Sequence, residues 1–237
     1  ELDRERFVAL GAPPDRVTVS GDLKLEPGAP PPPLASDIAN AIGSAPLLVA
    51  GSTHPGEERA ALEAFAAVRR AGRDALLLLA PRYPERADEV AQLAQSHGLP
   101  VQRRSSLPSR ALEAGEVLVL DTLGELSSLW PHAAGAFVGG TLVPVGGHNV
   151  LEPVMAQRPV CFGPQTANVT HAVRILEDCG AGVEVADGVA LGRIFDAWLA
   201  DPDAATERGR AGWRALQSHR GSALRAAELV IQTLGAA

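Results

Sequence analysis

Little in this sequence gives it away at first glance. Aromatic residues make up only 4% of the chain, so Ala, Leu and Val must fill whatever core it builds. The two cysteines, Cys161 and Cys179, are far apart and form no close-spaced pair. That spacing argues against a disulfide framework and predicts reduced thiols in an intracellular protein. No apolar run approaches the roughly 18 residues that a membrane span needs, and there is no secretory signal pattern. There is no H-x-x-H or clustered Cys/His arrangement, so neither a metal site nor a cofactor is expected. The nucleophile elbow G-x-S-x-G, the P-loop and the dinucleotide fingerprint G-x-G-x-x-G are also missing. Positive charge is scarce: the net charge is −7, which disfavours a nucleic-acid partner. An anionic ligand would therefore be met locally, by helix ends and single arginines.

What is present is 237 residues with 46% hydrophobic content, enough for one large domain or two small ones. The chain opens at Glu1 without Met, which reads as a fragment. Residues 1–20 suggest a helix over Asp3–Leu10 and a brief strand at Val17–Val19, the tail of something upstream. The run Pro27-Gly-Ala-Pro-Pro-Pro-Pro33 cannot pair in a sheet and reads as a stiff connector. The expected boundaries are therefore 1–33 for the end of a preceding domain plus linker, and 34–237 for one domain. From Pro46 onward, apolar runs alternate with helical spacing. Strands are expected at Leu47–Ala50, Ala75–Ala80, Val101, Val117–Leu120, Ala136–Val138, Val160–Phe162 and Val183–Val185. Helices are expected at Glu57–Arg70, Glu85–His97, Leu123–Ala133, from Asn149, and at Asn168–Asp178, with residues 190–234 mostly helical. Strands apolar on both faces and alternating with helices predict an α/β fold, a parallel sheet covered on both sides. No repeat at solenoid periods occurs.

In such sheets ligands bind beyond the carboxyl ends of the strands, and four loops lie there. The richest is Gly139-Gly-Thr-Leu-Val-Pro-Val-Gly-Gly-His-Asn149. A strand, a glycine-rich loop and a helix start can make an anion site from unpaired N–H groups. After Leu47–Ala50, Thr53 or His54 can cap the next helix, with Glu57 and Glu58 serving its dipole. Capping leaves His54 unexplained, and a ligand contact is the even alternative. After Ala75–Ala80 comes Pro81-Arg82; Arg82 suits a phosphate or carboxylate, and Arg86 reads as a helix-surface charge. After Val117–Leu120, Asp121 and Thr122 can cap a helix, and capping is the better account of Glu125 too. Glu152 fits either a helix dipole or the vicinal diol of a ribose.

Seven segments in this order resemble one family. They are Gly21-Asp-Leu-Lys24, Ser52-Thr-His-Pro-Gly-Glu-Glu58, Pro81-Arg-Tyr-Pro-Glu-Arg86, Asp121-Thr-Leu-Gly-Glu-Leu126, Val138-Gly-Gly-Thr-Leu-Val143, Gly146-Gly-His-Asn-Val-Leu-Glu152 and Gly163-Pro-Gln-Thr-Ala-Asn168. Together they look like the C-terminal half of the bacterial 3-deoxy-D-manno-octulosonic acid (Kdo) transferases, GT-B glycosyltransferases of family 30. The resemblance implies a Rossmann-like domain that binds CMP-Kdo for transfer to a lipid A precursor in lipopolysaccharide synthesis, at the cytoplasmic face of the inner membrane. It implies that Pro81, Arg82, Leu123, Gly124, Glu125, Asn149, Val150, Leu151 and Glu152 hold the donor. Ser52, Thr53, His54, Gly140, Thr141, Gly147 and His148 stand nearby. The family's catalytic glutamate and its membrane-facing acceptor site belong to an N-terminal half absent from this chain. The resemblance thus implies a soluble fragment that is inactive by itself. Tyr83, Asp22, Gln165 and Ala167 depart from the family's usual residues, the first and third where contacts near the sugar would change. The rival readings are another GT-B nucleotide-sugar enzyme, transferase or epimerase, and a non-catalytic nucleotide-binding module.

Overall fold

The computed structural model describes residues 2–26 and 30–235. Its centre is a seven-stranded, wholly parallel sheet in the order β3-β4-β2-β1-β5-β6-β7. The strands are β1 (Leu47–Thr53), β2 (Leu76–Pro81), β3 (Val101–Arg103), β4 (Val117–Val119), β5 (Ala133–Val138), β6 (Val160–Phe162) and β7 (Gly182–Glu184). Leu47–Ala50 and Leu76–Leu79 are at most 1% exposed, as strands covered on both faces must be.

The helices are α1 (Leu2–Ala9), α2 (Ser36–Ile42), α3 (Glu57–Arg70), α4 (Ala87–Ser96), α5 (Leu126–Leu129), α6 (Leu151–Met155), α7 (Thr170–Asp178), α8 (Gly188–Ala200), α9 (Pro202–Gln217) and α10 (Ser222–Gly235). On α3 the expected inward residues Ala61, Phe65 and Val68 are fully buried, and they meet Leu191 and Phe195 of α8 in the core. At about 25 cal/mol per Å² of apolar area removed from water, this central layer is the main source of stability.

Contacts divide the chain into two compact units, Ala29–Ala215 and Glu1–Gly28 with Leu216–Ala237. The first holds the whole sheet. Within the second, the Glu26 carboxylate accepts the N–H groups of Gly221 and Ala223 at the start of α10, and Arg225 donates to the Ser20 carbonyl. Of the proline run, residues 27–29 lie outside the described residues, and 30–33 pair with no strand.

Three expectations need correction. Val17–Val19 forms no strand, because no neighbouring strand is there to pair with it. The helix expected over Leu123–Ala133 shrinks to α5 and one 3₁₀ turn, Trp130–His132. Gly124 takes φ +82°, outside helical geometry, and Pro131 removes a donor, so Ala133 already starts β5. Arg86 is no surface charge: its side chain is 15% exposed and sits on Glu58, which is 1% exposed, at 2.6 Å.

A second buried carboxylate closes the sheet's other flank. Glu116, just before β4, accepts two hydrogen bonds from Arg110, one from Gln102 of β3 and one from the Glu113 N–H. The Arg110 pairing, outweighing burial, holds its pKa at about 2, against an ordinary 4.5. A carboxyl with a depressed folded pKa lends stability above its unfolded pKa and loses it as pH falls through the folded one. Between roughly pH 5 and 2, the wild type should lose about 3 kcal/mol that Glu116→Gln does not lose, measured by urea unfolding at stepped pH. Parallel acid limbs for the two proteins would refute this.

Candidate functional site

The chain leaves β1 toward β2 on one side, and after β4 it crosses to β5 on the other. The carboxyl ends of β1 and β5 therefore flank a topological switch point, the place where open α/β sheets leave a crevice. Two loops face each other across it, Ser52–Gly56 and Gly139–Val150.

One carboxylate ties these loops together. Glu57 is fully buried, and its Oε2 accepts the N–H groups of His54 (2.9 Å) and Gly140 (2.7 Å). Its Oε1 accepts those of Thr141 (2.9 Å) and Leu142 (2.8 Å). Glu57 stands in the first turn of α3, as expected of a dipole charge, but its carboxylate also clamps the loops. One expectation fails here: the anion nest of the glycine-rich loop is already filled by the protein's own carboxylate. Nor do Thr53 and His54 cap α3: its N-cap is Gly56, with no side-chain bond. Thr53 is buried and its hydroxyl donates to Glu58. Burying both glutamates depends on partners 28 and 83 to 85 residues away in sequence, a signal no local pattern carries.

Glycine is required where β5 ends. A Cβ on Gly139 would lie 2.5 Å from the Ser52 carbonyl, and one on Gly140, itself at φ +71°, 2.9 Å from the His148 ring. Their absence lets the loops close until His54 and His148 touch, Nε2 to Nε2 at 2.8 Å. Ser52 at the lip takes φ +56°, an uncommon conformation for a residue with a side chain.

Ser52, Pro81, Arg82, Leu123 and Gly124 line one cleft of about 140 Å³ together with Pro84 and Thr122. Arg82 is exposed and makes no ion pair among the described residues; its guanidinium lies 5.6 Å from the Tyr83 ring centre. Tyr83 in turn sets its edge against His54, with centroids 5.8 Å apart. Glu125 does not line this cleft. It is held by Arg104 at 2.8 Å, which also grips Asp37 of α2. Asp121 accepts from Ser105 and the Thr122 hydroxyl donates to Glu125, so neither caps α5.

At the start of α6, Asn149 Oδ1 accepts the Leu151 N–H, as a capping residue would. Glu152 is half-buried, and its Oε2 accepts the indole N–H of Trp130 at 3.0 Å. Trp130 was not foreseen. It packs over Gly51, where a Cβ would sit 2.5 Å from its ring, and so links β1 to Glu152. Val150 and Leu151 turn into the core. Thr141 is buried, donating to the Val138 carbonyl and accepting the Gly163 N–H. Gly147 is buried and gives its N–H to Gly140. Contacts from these four to a ligand would run through backbone.

No family model matches the chain. It is 33% identical to the 3-deoxy-D-manno-octulosonic acid transferase of Haemophilus influenzae, over 97% of this chain and 54% of that protein. With the enzyme of that name from Bordetella pertussis it shares 35% identity, over 98% of this chain and 55% of that one. The chain thus spans about half the length of these curated relatives. Its fold is similar to the C-terminal CMP-Kdo binding domain of WaaA from Acinetobacter baumannii, with TM-score 0.69 and 32% identity, covering 76% of this chain and 93% of that domain.

Replacing Glu57 by Gln swaps one acceptor oxygen for an NH₂ group facing two N–H donors. Leaving a buried donor unpaired costs about 1–3 kcal/mol. Glu57→Gln should therefore lower the urea-unfolding free energy by at least about 2 kcal/mol. An unchanged midpoint would mean that the loops hold without the clamp.

Proposed function

The chain belongs to the 3-deoxy-D-manno-octulosonic acid transferase family, and from that premise we propose that it is the CMP-Kdo-binding half of such an enzyme. Residues 34–237 are then the donor domain, and 1–33 the end of the preceding domain and its connector. The observation that carries this reading is Arg82, an exposed guanidinium without an ion-pair partner among the described residues, in one cleft with Leu123-Gly124. In the reaction so read, a hydroxyl of the lipid A precursor attacks the anomeric carbon of Kdo with inversion, and CMP leaves. Arg82 offsets the charge that collects on the departing phosphate. Glu152, oriented by Trp130 on one oxygen, reads the ribose diol with its remaining lone pairs. The base, the acceptor site and attachment to the cytoplasmic face of the inner membrane come from the other half. This chain by itself then binds the nucleotide without transferring sugar. No helix among the described residues is long and apolar enough to cross a membrane.

Calorimetric titration with CMP, UDP and GDP tests the base: CMP should bind tightest, and equal affinities would favour another nucleotide-sugar enzyme. Arg82→Ala should weaken CMP by tenfold or more, since hydrogen bonds to charged groups contribute about 1.5–3 kcal/mol, with little change in melting temperature. A lower melting temperature with normal binding would make Arg82 structural. Glu152→Gln should erase most of the preference for CMP over 2′,3′-dideoxy-CMP. If the wild type binds both equally, Glu152 does not read the diol.

A further inference from the structure

His54 and His148 meet head to head at the switch point. Their ring planes are parallel within 4°, with centroids 5.0 Å apart and Nε2 atoms 2.8 Å apart. In a neutral pair of this kind one Nε2 donates and the other accepts. The donor ring's Nδ1 is then bare, and the acceptor ring's Nδ1 carries a proton. A proton added to the bare Nδ1 leaves the central bond intact and turns both outer nitrogens into donors. A second proton would set N–H against N–H between two cations. The pair's capacity is therefore one.

Other cations are scarce at this edge of the sheet. Arg86 is held by Glu58 and Glu89, and Arg104 by Glu125 and Asp37. The amides of Gly140, Thr141 and Leu142 are held by Glu57. Arg82 remains. The charged and titratable groups that face the pair are Arg82 and Tyr83 from the segment after β2, and Glu57 from α3. Burial first, then His54 and Arg82, hold the His148 pKa below the usual imidazole range. Glu57 pulls the other way, with its charge spread over four N–H groups. Without ligand, burial and the Arg82 charge disfavour a proton on the His148 ring, and Arg82 is the one arginine or lysine lining the cleft among the described residues. An anion placed beside Arg82 offsets the arginine charge that acts on the pair and so favours a proton there.

We propose that the His54–His148 pair takes up one proton as a phosphodiester anion binds beside Arg82, so that donor binding and proton uptake are a single event. The proposal rests on the donor-site reading above. The bound complex has the higher pKa, so affinity falls as pH rises through it, by up to about tenfold per pH unit.

The probe is cytidine 5′-(methyl phosphate), a diester with no proton of its own to exchange near neutrality. Titration calorimetry in two buffers of different ionisation enthalpy, at about pH 7.5, reads the protons taken up by the intact chain. We expect uptake of a large part of one proton, and a Kd that rises by up to about tenfold per unit between the free and bound pKa values and levels off above the bound one. His148→Gln should bind with no uptake and a flat profile, and His54→Gln provides the same reading should the first variant fold poorly. Wild-type binding without uptake overturns the proposal and leaves the donor site standing. Undiminished uptake in a folded variant also overturns it. No binding of the diester at any pH overturns the donor site and the proposal together.

Discussion

The candidate site depends on a carboxylate that never reaches its surface. Glu57 has been taken out of water, a cost that only good partners offset. Its partners are four backbone N–H groups from two loops that are distant in sequence and have no other acceptor at hand. Everything at the switch point follows from that compensation. The glycine-rich loop is drawn toward β1, Gly139 and Gly140 permit the approach, and the two histidines are left in contact. Remove the carboxylate and the loops lose the group that sets their distance.

Charge is handled in the same way across the sheet's edge. Of the arginines there, Arg86 and Arg104 are committed to carboxylates, and each grips one that is withdrawn from solvent, Glu58 and Glu125. Arg82 differs, with an aromatic neighbour but no anion among the described residues. With a net charge of −7, the protein as a whole repels an anionic ligand, so attraction must come from a few local groups. An arginine left without a counter-ion is the kind of local group such a protein needs.

Much of this was legible beforehand, and the failures share a cause. Helix Glu57–Arg70 and strand Val160–Phe162 have the bounds that periodicity and apolar runs suggested, because burial on a sheet imposes those patterns directly. The loops after β1, β2, β4 and β5 were found by position alone, since a parallel sheet collects them at one edge. What stayed hidden depended on distant pairing. Glu57 and Glu58 looked like helix-dipole charges and Arg86 like a surface charge, for their partners lie on other elements. Trp130 looked like part of a helix because Gly51, the small residue that makes room for it, gives no local sign of doing so. Glu125 stands at the N-cap of α5 as a cap would, but its carboxylate makes no cap bond and answers Arg104, 21 residues earlier.

Composition marks the stretch of Gly139 to Gly147 as the softest in the chain. Its amides tell otherwise: those of Gly139, Gly140, Thr141, Leu142 and Gly147 are all bonded within the protein. Hydrogen exchange there should be as slow as in a strand, since a loop welded to a buried charge opens only when the charge itself is exposed. The lip of the cleft is different in kind: Leu123 is 79% exposed there, beside Gly124 at φ +82°. At this edge of the sheet the glycine-rich loop is the rigid element.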